Sequence, residues 1–276
     1  MIKFKKKIGY LMKFSNKIES ITIGSFDGIH LAHKVLIEQA DAVVVIERNG
    51  GYITSGYKRT IYLDKPCFFY HFDKIKYLSP EEFVKKLETD FPNLKKIVIG
   101  YDFFFGKGKK GDSRVLKEIF NGEVVIVDEV SIDGIPIHSR TIKSYLIDGN
   151  MEMANRLLGR EYRIYGEIIK GQGLGAKELF PTLNLNIDEY QLPKSGVYST
   201  RTKIEDIWYK SISFLGHRET TDGSYAVETH IIDRDIGELQ GFISIEFNSF
   251  IRENRKFSSL EMLKKQIESD ILGVRV

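Results

Sequence analysis

Near residue 160 the chain changes texture, and that change constrains its fold more than any other feature. Before it, short apolar runs alternate with amphipathic stretches. "SITIGSF", "AVVVIE", "KKIVIG" and "GEVVIV" read as buried strands. "LAHKVLIEQA", with Leu31 and Val35 on one face, "SPEEFVKKLETD" and "SRVLKEIF" read as the helices between them. Ser79 can cap the second helix, Pro80 suits its first position and Glu82 completes a capping box. Alternation of this kind predicts an α/β domain with a doubly wound parallel sheet.

"SRTIKSYLIDG" and "NMEMANRLLGR" then read as two short helices ending at Gly159. Beyond them "YRIYGEIIKG", "GVYSTRTKI", "WYKSISFLG", "YAVETHIID" and "GFISIEFNSFI" follow one another with only turn residues between. Strands without intervening helices predict a small antiparallel β-barrel, closed by a terminal helix, "SSLEMLKKQIESDIL", with a capping box from Ser258 to Glu261. The expected domains are 1–158 and 159–276.

Charge and cysteine usage narrow the partners. A net charge of +3 over 276 residues suits a small anionic ligand and gives no long basic stripe for nucleic acid. No apolar run is long enough to span a bilayer, no signal peptide is expected, and Met12 is a second candidate start. One cysteine, Cys67, allows no internal disulfide and suits the cytoplasm.

Two stretches carry candidate chemistry. "GSFDGIHLAH", residues 24–33, places glycines, an acid and two histidines where a strand turns into a helix. Backbone amides and the positive end of a helix at such a turn face anions, most often phosphate. His30 and His33, three apart, can project to one side and donate to a polyphosphate while a P–O bond breaks. Asp27 can orient a histidine or reach a metal. The same spacing also suits plain surface histidines, or zinc, although no further cluster supplies a third strong zinc ligand.

The second stretch is "GEIIKGQGLGAKELFPTLNLNI". Gly166, Gly171, Gly173 and Gly175 suit a loop that approaches phosphate closely, and Thr182 and Asn184, two apart, point to one side of an extended chain. A hydroxyl and a carboxamide there can hold Mg²⁺ and nucleotide phosphates. An ordinary glycine-rich hairpin with solvent-facing polar residues satisfies the same pattern. In "AVETHIID", alternation sets Glu228 and His230 opposite Val227, Thr229 and Ile231, which suits either a general base or an exposed acid.

Taken in order, these stretches resemble the bacterial bifunctional FAD synthetases, which join riboflavin kinase to FMN adenylyltransferase. "GSFDGIHLAH" is similar to the family's G-x-F-D-G-x-H-x-G-H, "IVIGYDFFFGKGKKGD" to its second segment and "NRLLGREYRIYGEIIKG" to its domain junction. "LFPTLN", "VETH" and "FIRENRKFSSLEMLKKQIESD" match the kinase half in the same order. The resemblance implies that His30 and His33 contact ATP phosphates, that Gly24, Phe26 and Asp27 shape the turn, and that Asp102, Ser139 and Lys143 lie at the nucleotide. It implies likewise that Gly171 and Gly175 cradle phosphate, that Thr182 and Asn184 bind Mg-ATP, that Glu228 is the base on the ribityl hydroxyl and that Arg252 lies near the flavin.

The sequence departs from the family pattern at Ala32 and Leu179, both usually Gly, and at His138, Arg140 and Lys143. A Pro-His-Pro segment is also missing after the second strand. Arginine grips phosphate bidentately where lysine offers a point charge, so Lys143 is not a neutral exchange. The expected activity is riboflavin to FMN and FMN to FAD, with Mg²⁺, ATP, riboflavin and FMN as small-molecule ligands and no nucleic-acid or membrane partner. The alternatives are a riboflavin kinase with a degenerate first domain, or a flavin or nucleotide sensor without turnover.

Overall fold

The computed structural model describes residues 17–48, 50, 52–170, 180–187, 189–218, 223, 225–234, 236, 237 and 239–275. Gly171, Gly173, Gly175, Leu179 and Met12 lie outside the described residues. The chain forms two compact units, one of residues up to 50 with 55–138, the other of 51–54 with 139–276. By packing, the division therefore falls after His138, whereas the change of texture falls after residue 158.

The first unit runs β1 (Ser20–Gly24), α1 (Leu31–Glu38), β2 (Ala42–Glu47), β3 (Cys67–His71), the single turn α2 (Phe72–Ile75), α3 (Pro80–Asp90), β4 (Lys96–Gly100), α4 (Ser113–Ile119) and β5 (Glu123–Val127). The five strands are parallel in the order β3-β2-β1-β4-β5. Both faces are buried, which is why "AVVV" is apolar without alternation. Ala42 and Val44 pack with Phe83, Leu87 and Phe91 of the α3 side, while Val43 and Val45 pack with Phe26, Ile29 and Ile37 on the other. Ser79 caps α3 as expected: its Oγ accepts from Glu82 N at 3.2 Å, and Glu82 Oε2 accepts from Ser79 N at 2.7 Å. The order reverses at β1, with β2 and β3 to one side and β4 and β5 to the other. Ligands in such sheets bind beyond the strand carboxyl ends at that reversal. A short hairpin, β6 (Ser131–Ile132) and β7 (Ile135–Pro136), follows β5.

The second unit opens with α5 (Ser139–Asp148) and α6 (Met151–Leu158). Gly159 ends α6 at φ 69°, the left-handed conformation that glycine adopts without strain. Asn155 then joins helix to barrel: its Nδ2 donates to Phe247 O at 2.8 Å and its Oδ1 accepts from Tyr162 N at 2.7 Å. β8 (Tyr162–Ile169), β9 (Leu183–Asn186), β10 (Gly196–Ile204), β11 (Ile207–His217), β12 (Tyr225–Ile231) and β13 (Phe242–Arg252) close an antiparallel barrel in the order β10-β11-β12-β9-β8-β13. Among the described strands, each of the six has a neighbour on both sides.

Side chains fill the barrel, and part of the filling is polar. Thr200 bonds Ser211 and Ser213, Thr202 bonds Ser211 and Thr229, and Ser213 donates to Thr229, all between 2.8 and 3.0 Å. Five hydroxyls thus close a ring of five hydrogen bonds. Each hydroxyl can give one hydrogen and take one, so the buried donors are satisfied. Glu228 projects from the opposite face of β12, as alternation predicts, so its chemistry belongs outside the barrel.

The terminal helix α7 (Leu260–Arg275) packs on that outer face, with Ile267, Ile271 and Val274 against Val197, Ile212 and Phe214. Its cap corrects the sequence expectation. Ser259 Oγ, not Ser258, accepts from Met262 N at 3.3 Å, while Ser258 Oγ meets Met262 Sδ at 2.9 Å. The helix begins one residue later than the S-x-x-E pattern suggests.

Candidate functional site

At the carboxyl end of β1 the turn is strained. Phe26 and Ile29 have φ of 47° and 42°, flanking Gly28 at 93°. Positive φ is costly for a β-branched residue, of order 1–3 kcal/mol, and such strain gathers at functional turns. Burial enforces it: Phe26 and Ile29 are locked against Ile37, Val43 and Val45. Gly24 has room for a Cβ, 3.4 Å from Phe26 Cε2, so the turn rests on Phe26, Gly28 and Ile29 rather than on Gly24.

His30 is the N-cap of α1, and its Nδ1 accepts the backbone N–H of His33 at 3.3 Å. With Nδ1 an acceptor, the hydrogen of the neutral imidazole is on Nε2. The two imidazoles stack, centroids 3.5 Å apart and 16° from parallel, and Phe26 meets His33 edge-on at 5.0 Å. His30 and Asp27 are buried. The turn therefore presents a prearranged imidazole pair on a helix N-terminus, at the edge where anions bind.

Asp102 stands at the neighbouring strand end. Its Oδ1 lies 3.4 Å from the position a Cβ on Gly100 would take, so the carboxylate folds back over the end of β4. Beside it Tyr101 Oη donates to Glu129 Oε1 at 2.5 Å, and His138 Nε2 lies 3.1 Å from the same oxygen and 3.3 Å from Tyr101 Oη. Sequence reasoning noted His138 only as a departure from pattern. The strand register across β4 and β5, which brings Tyr101 and Glu129 side by side, has no local signal. Ser139 and Lys143 stand one turn apart on α5, which belongs to the second unit.

In the barrel, Glu228 and Asn184 are register partners across β12 and β9. Arg218 joins them: its Nε donates to Glu228 Oε1 at 2.6 Å and its Nη2 to Asn184 Oδ1 at 2.5 Å. The Arg218 and Glu228 side chains are 18% and 21% exposed, so the pair is partly shielded yet reachable. His230, two residues on, points to the same side, and its Nδ1 lies 2.7 Å from Pro181 O, which steadies the chain just before Thr182. Arg218 was missed by sequence reasoning, although it stands two residues beyond "WYKSISFLG"; its role depends on which strand end faces it.

Arg252 is committed to packing. Its Nε lies 3.1 and 2.9 Å from the two oxygens of Asp270, and its Nη2 lies 2.7 Å from Oδ2, pinning α7 to β13. Just beyond it, Arg255, Lys256, Phe257, Met262 and Lys265 line a cavity of about 540 Å³. Arg255, Lys256 and Lys265 bring positive charge to it, and Lys265 is paired with Glu261 at 2.9 Å. Asn254 Nδ2 donates to His217 O at 2.6 Å, which ties this wall to the residue before Arg218. Trp208 is flanked by the guanidinium groups of Arg163 and Arg201, 4.9 and 5.3 Å from its ring. Both arginines pair with Glu246.

Comparison with known proteins finds relatives for both halves of the chain. The riboflavin kinase family model matches residues 158–276, and the FAD synthetase model matches 60–141, downstream of the histidine turn. The chain is 26% identical to a bifunctional riboflavin kinase/FMN adenylyltransferase of Pseudomonas fluorescens, covering 92% of this chain and 91% of that one. It is 26% identical to the protein of that name from Bacillus subtilis, over 95% and 93% of the two chains. The Escherichia coli K12 protein of the same name is 25% identical over 92% and 91%. A solved structure from Streptococcus pneumoniae, described as a macrolide-efflux protein, is 27% identical with a TM-score of 0.83, covering 93% and 94% of the chains. Among the described residues here, no helix is long and apolar enough to cross a membrane.

Proposed function

From a chain that carries the FAD synthetase and riboflavin kinase domains of the bifunctional riboflavin kinase/FMN adenylyltransferase family, we propose a two-site enzyme of flavin cofactor synthesis. Riboflavin and ATP give FMN and ADP at the barrel; FMN and ATP give FAD and pyrophosphate at the parallel sheet. The activities divide at 158 and 159, and the enzyme works in the cytoplasm on small molecules.

At the barrel, Glu228 accepts the proton of the terminal ribityl hydroxyl as its oxygen attacks the γ-phosphorus of ATP. A positioned general base is worth roughly 10²–10⁴-fold in such transfers. Asn184 and Thr182 offer hard oxygen donors of the kind Mg²⁺ takes, and among the described residues no group of three or more His, Cys, Asp or Glu could hold a metal. Those donors fit an ion that arrives with nucleotide phosphates; when bound, it neutralises the charge on them. Gly171 and Gly175 cradle the phosphates. The cation-rimmed cavity beside α7 takes the flavin end, and Arg252 supports it by holding α7 through Asp270.

At the sheet, an FMN phosphate oxygen attacks the α-phosphorus of ATP and pyrophosphate departs. His30 and His33 donate to the phosphates from the turn after β1, where Gly24 leads in and Phe26 and Asp27 are buried, with Asp102, Ser139 and Lys143 at the nucleotide. No side chain is a covalent nucleophile.

The observation that supports this reading is the register pairing of Glu228 with Asn184, a carboxylate opposite a carboxamide. The test is to incubate the full chain with riboflavin and Mg-ATP and to separate the flavins by chromatography. FAD supports both sites. Accumulation of FMN alone shows a kinase with a degenerate first domain, and unchanged riboflavin overturns the reading.

A further inference from the structure

Arg218 touches both partners of the barrel site through different nitrogens of one guanidinium group. Nε holds Glu228 Oε1 at 2.6 Å and Nη2 holds Asn184 Oδ1 at 2.5 Å. The second contact falls on the carboxamide oxygen, the only atom of that side chain able to ligate a hard cation. A guanidinium and a divalent ion sharing one oxygen would stand within contact distance of each other. In a partly shielded site like charges so close repel strongly. The two cations therefore compete for that oxygen.

We propose that Arg218 is a positioning residue that orients Glu228 and reserves the Asn184 oxygen, so that binding of a Mg·nucleotide and release of Asn184 by Arg218 are one event. This rests on the reading of the barrel as the kinase site. Arg218 keeps its Nε on Glu228 through the exchange, and the freed Nη2 turns to the phosphate oxygens. Asn254 fixes the backbone at His217, so the exchange is a side-chain rotation beside an anchored carbonyl. Before nucleotide arrives, the guanidinium is a cation already in the site.

The model predicts a sign that a merely structural arginine does not. Removing Arg218 takes positive charge from the site and weakens Mg-free ADP binding, yet it also removes the competitor for Asn184. The ratio of ADP affinity with Mg²⁺ to that without it therefore rises.

The experiment is titration calorimetry of the full chain with ADP, with and without Mg²⁺ and with riboflavin absent, for the native protein, Arg218→Ala and Arg218→Lys. One charge-assisted hydrogen bond sets the scale, so the Mg²⁺ enhancement should grow about tenfold in Arg218→Ala. In Arg218→Lys, which keeps the charge but lacks the planar fork, it should grow less. Riboflavin turnover of both variants should fall while FMN-to-FAD conversion holds. If Arg218→Ala does not fold, the lysine variant carries the test. An unchanged or smaller enhancement in a folded variant, with FMN made normally by the native chain, overturns the proposal alone. Failure of the native chain to make FMN overturns the kinase reading beneath it.

Discussion

His30 and His33 stack face to face, ring centroids 3.5 Å apart, and the first caps the helix that carries the second. One imidazole thus serves structure through Nδ1, and the proposed mechanism asks it to serve phosphate as well. The two roles can be separated. His30→Ala removes both, costing about 1 kcal/mol as a lost cap and roughly 10²–10³-fold in FMN-to-FAD conversion as a lost phosphate donor. His30→Asn restores the cap, since asparagine is among the best N-cap residues. Thermal melts should show the asparagine variant near the native midpoint, with adenylyl transfer still absent. Recovery of activity by asparagine would place the value of His30 in capping alone.

Glu228→Gln keeps the shape of the side chain and an oxygen for Arg218 but removes the base. FMN formation should fall by about 10²–10⁴-fold. Conversion of supplied FMN to FAD should stay within about twofold, because the base has no part in adenylyl transfer by this mechanism. Loss of both steps in a folded variant would contradict separate sites.

The hydroxyl ring makes the barrel core sensitive to a change of one atom. Thr202→Val keeps volume yet leaves Ser211 and Thr229 each short of a ring partner. The expected cost is about 1–3 kcal/mol, read by denaturant unfolding of the native chain and the variant. A neutral result would mean that the remaining hydroxyls re-pair across the gap.

Cys67 should behave as a buried hydrophobe. Desolvation pushes its thiol up from 9.0 to about 12, against an opposing pull from the Arg59 charge. The folded state thus holds the proton more tightly than the unfolded chain. This contribution to stability is full below pH 9.0 and is lost as pH climbs towards about 12. Iodoacetamide at pH 8 should leave Cys67 unmodified in the native protein and alkylate it in denaturant, as mass spectrometry would read. Rapid labelling without denaturant would show the β3 edge open.

Much of this molecule was determined by sequence alone. Strand and helix periods, the Ser79 capping box and the glycine at 159 are short-range features, and each reports a local free-energy preference that tertiary packing did not overrule. The alternating face of β12 set Glu228 apart from Thr229 for the same reason. The family resemblance, spread along the chain, supplied names for the sites but no contact between them.

Tertiary structure decided what lies opposite what. Arg218 meets Glu228 and Asn184 only because β11, β12 and β9 are neighbours in a closed barrel. Tyr101 and Glu129 meet only because β4 and β5 pair in register. Arg252, expected near flavin, spends its charge on Asp270, a partner set by where α7 docks. Even the terminal cap moved by one residue, from the Ser258 that the local S-x-x-E pattern favours to Ser259. Local preference acts within a few residues, whereas strand register and helix docking are fixed by burial summed over whole faces, which no short stretch of sequence contains.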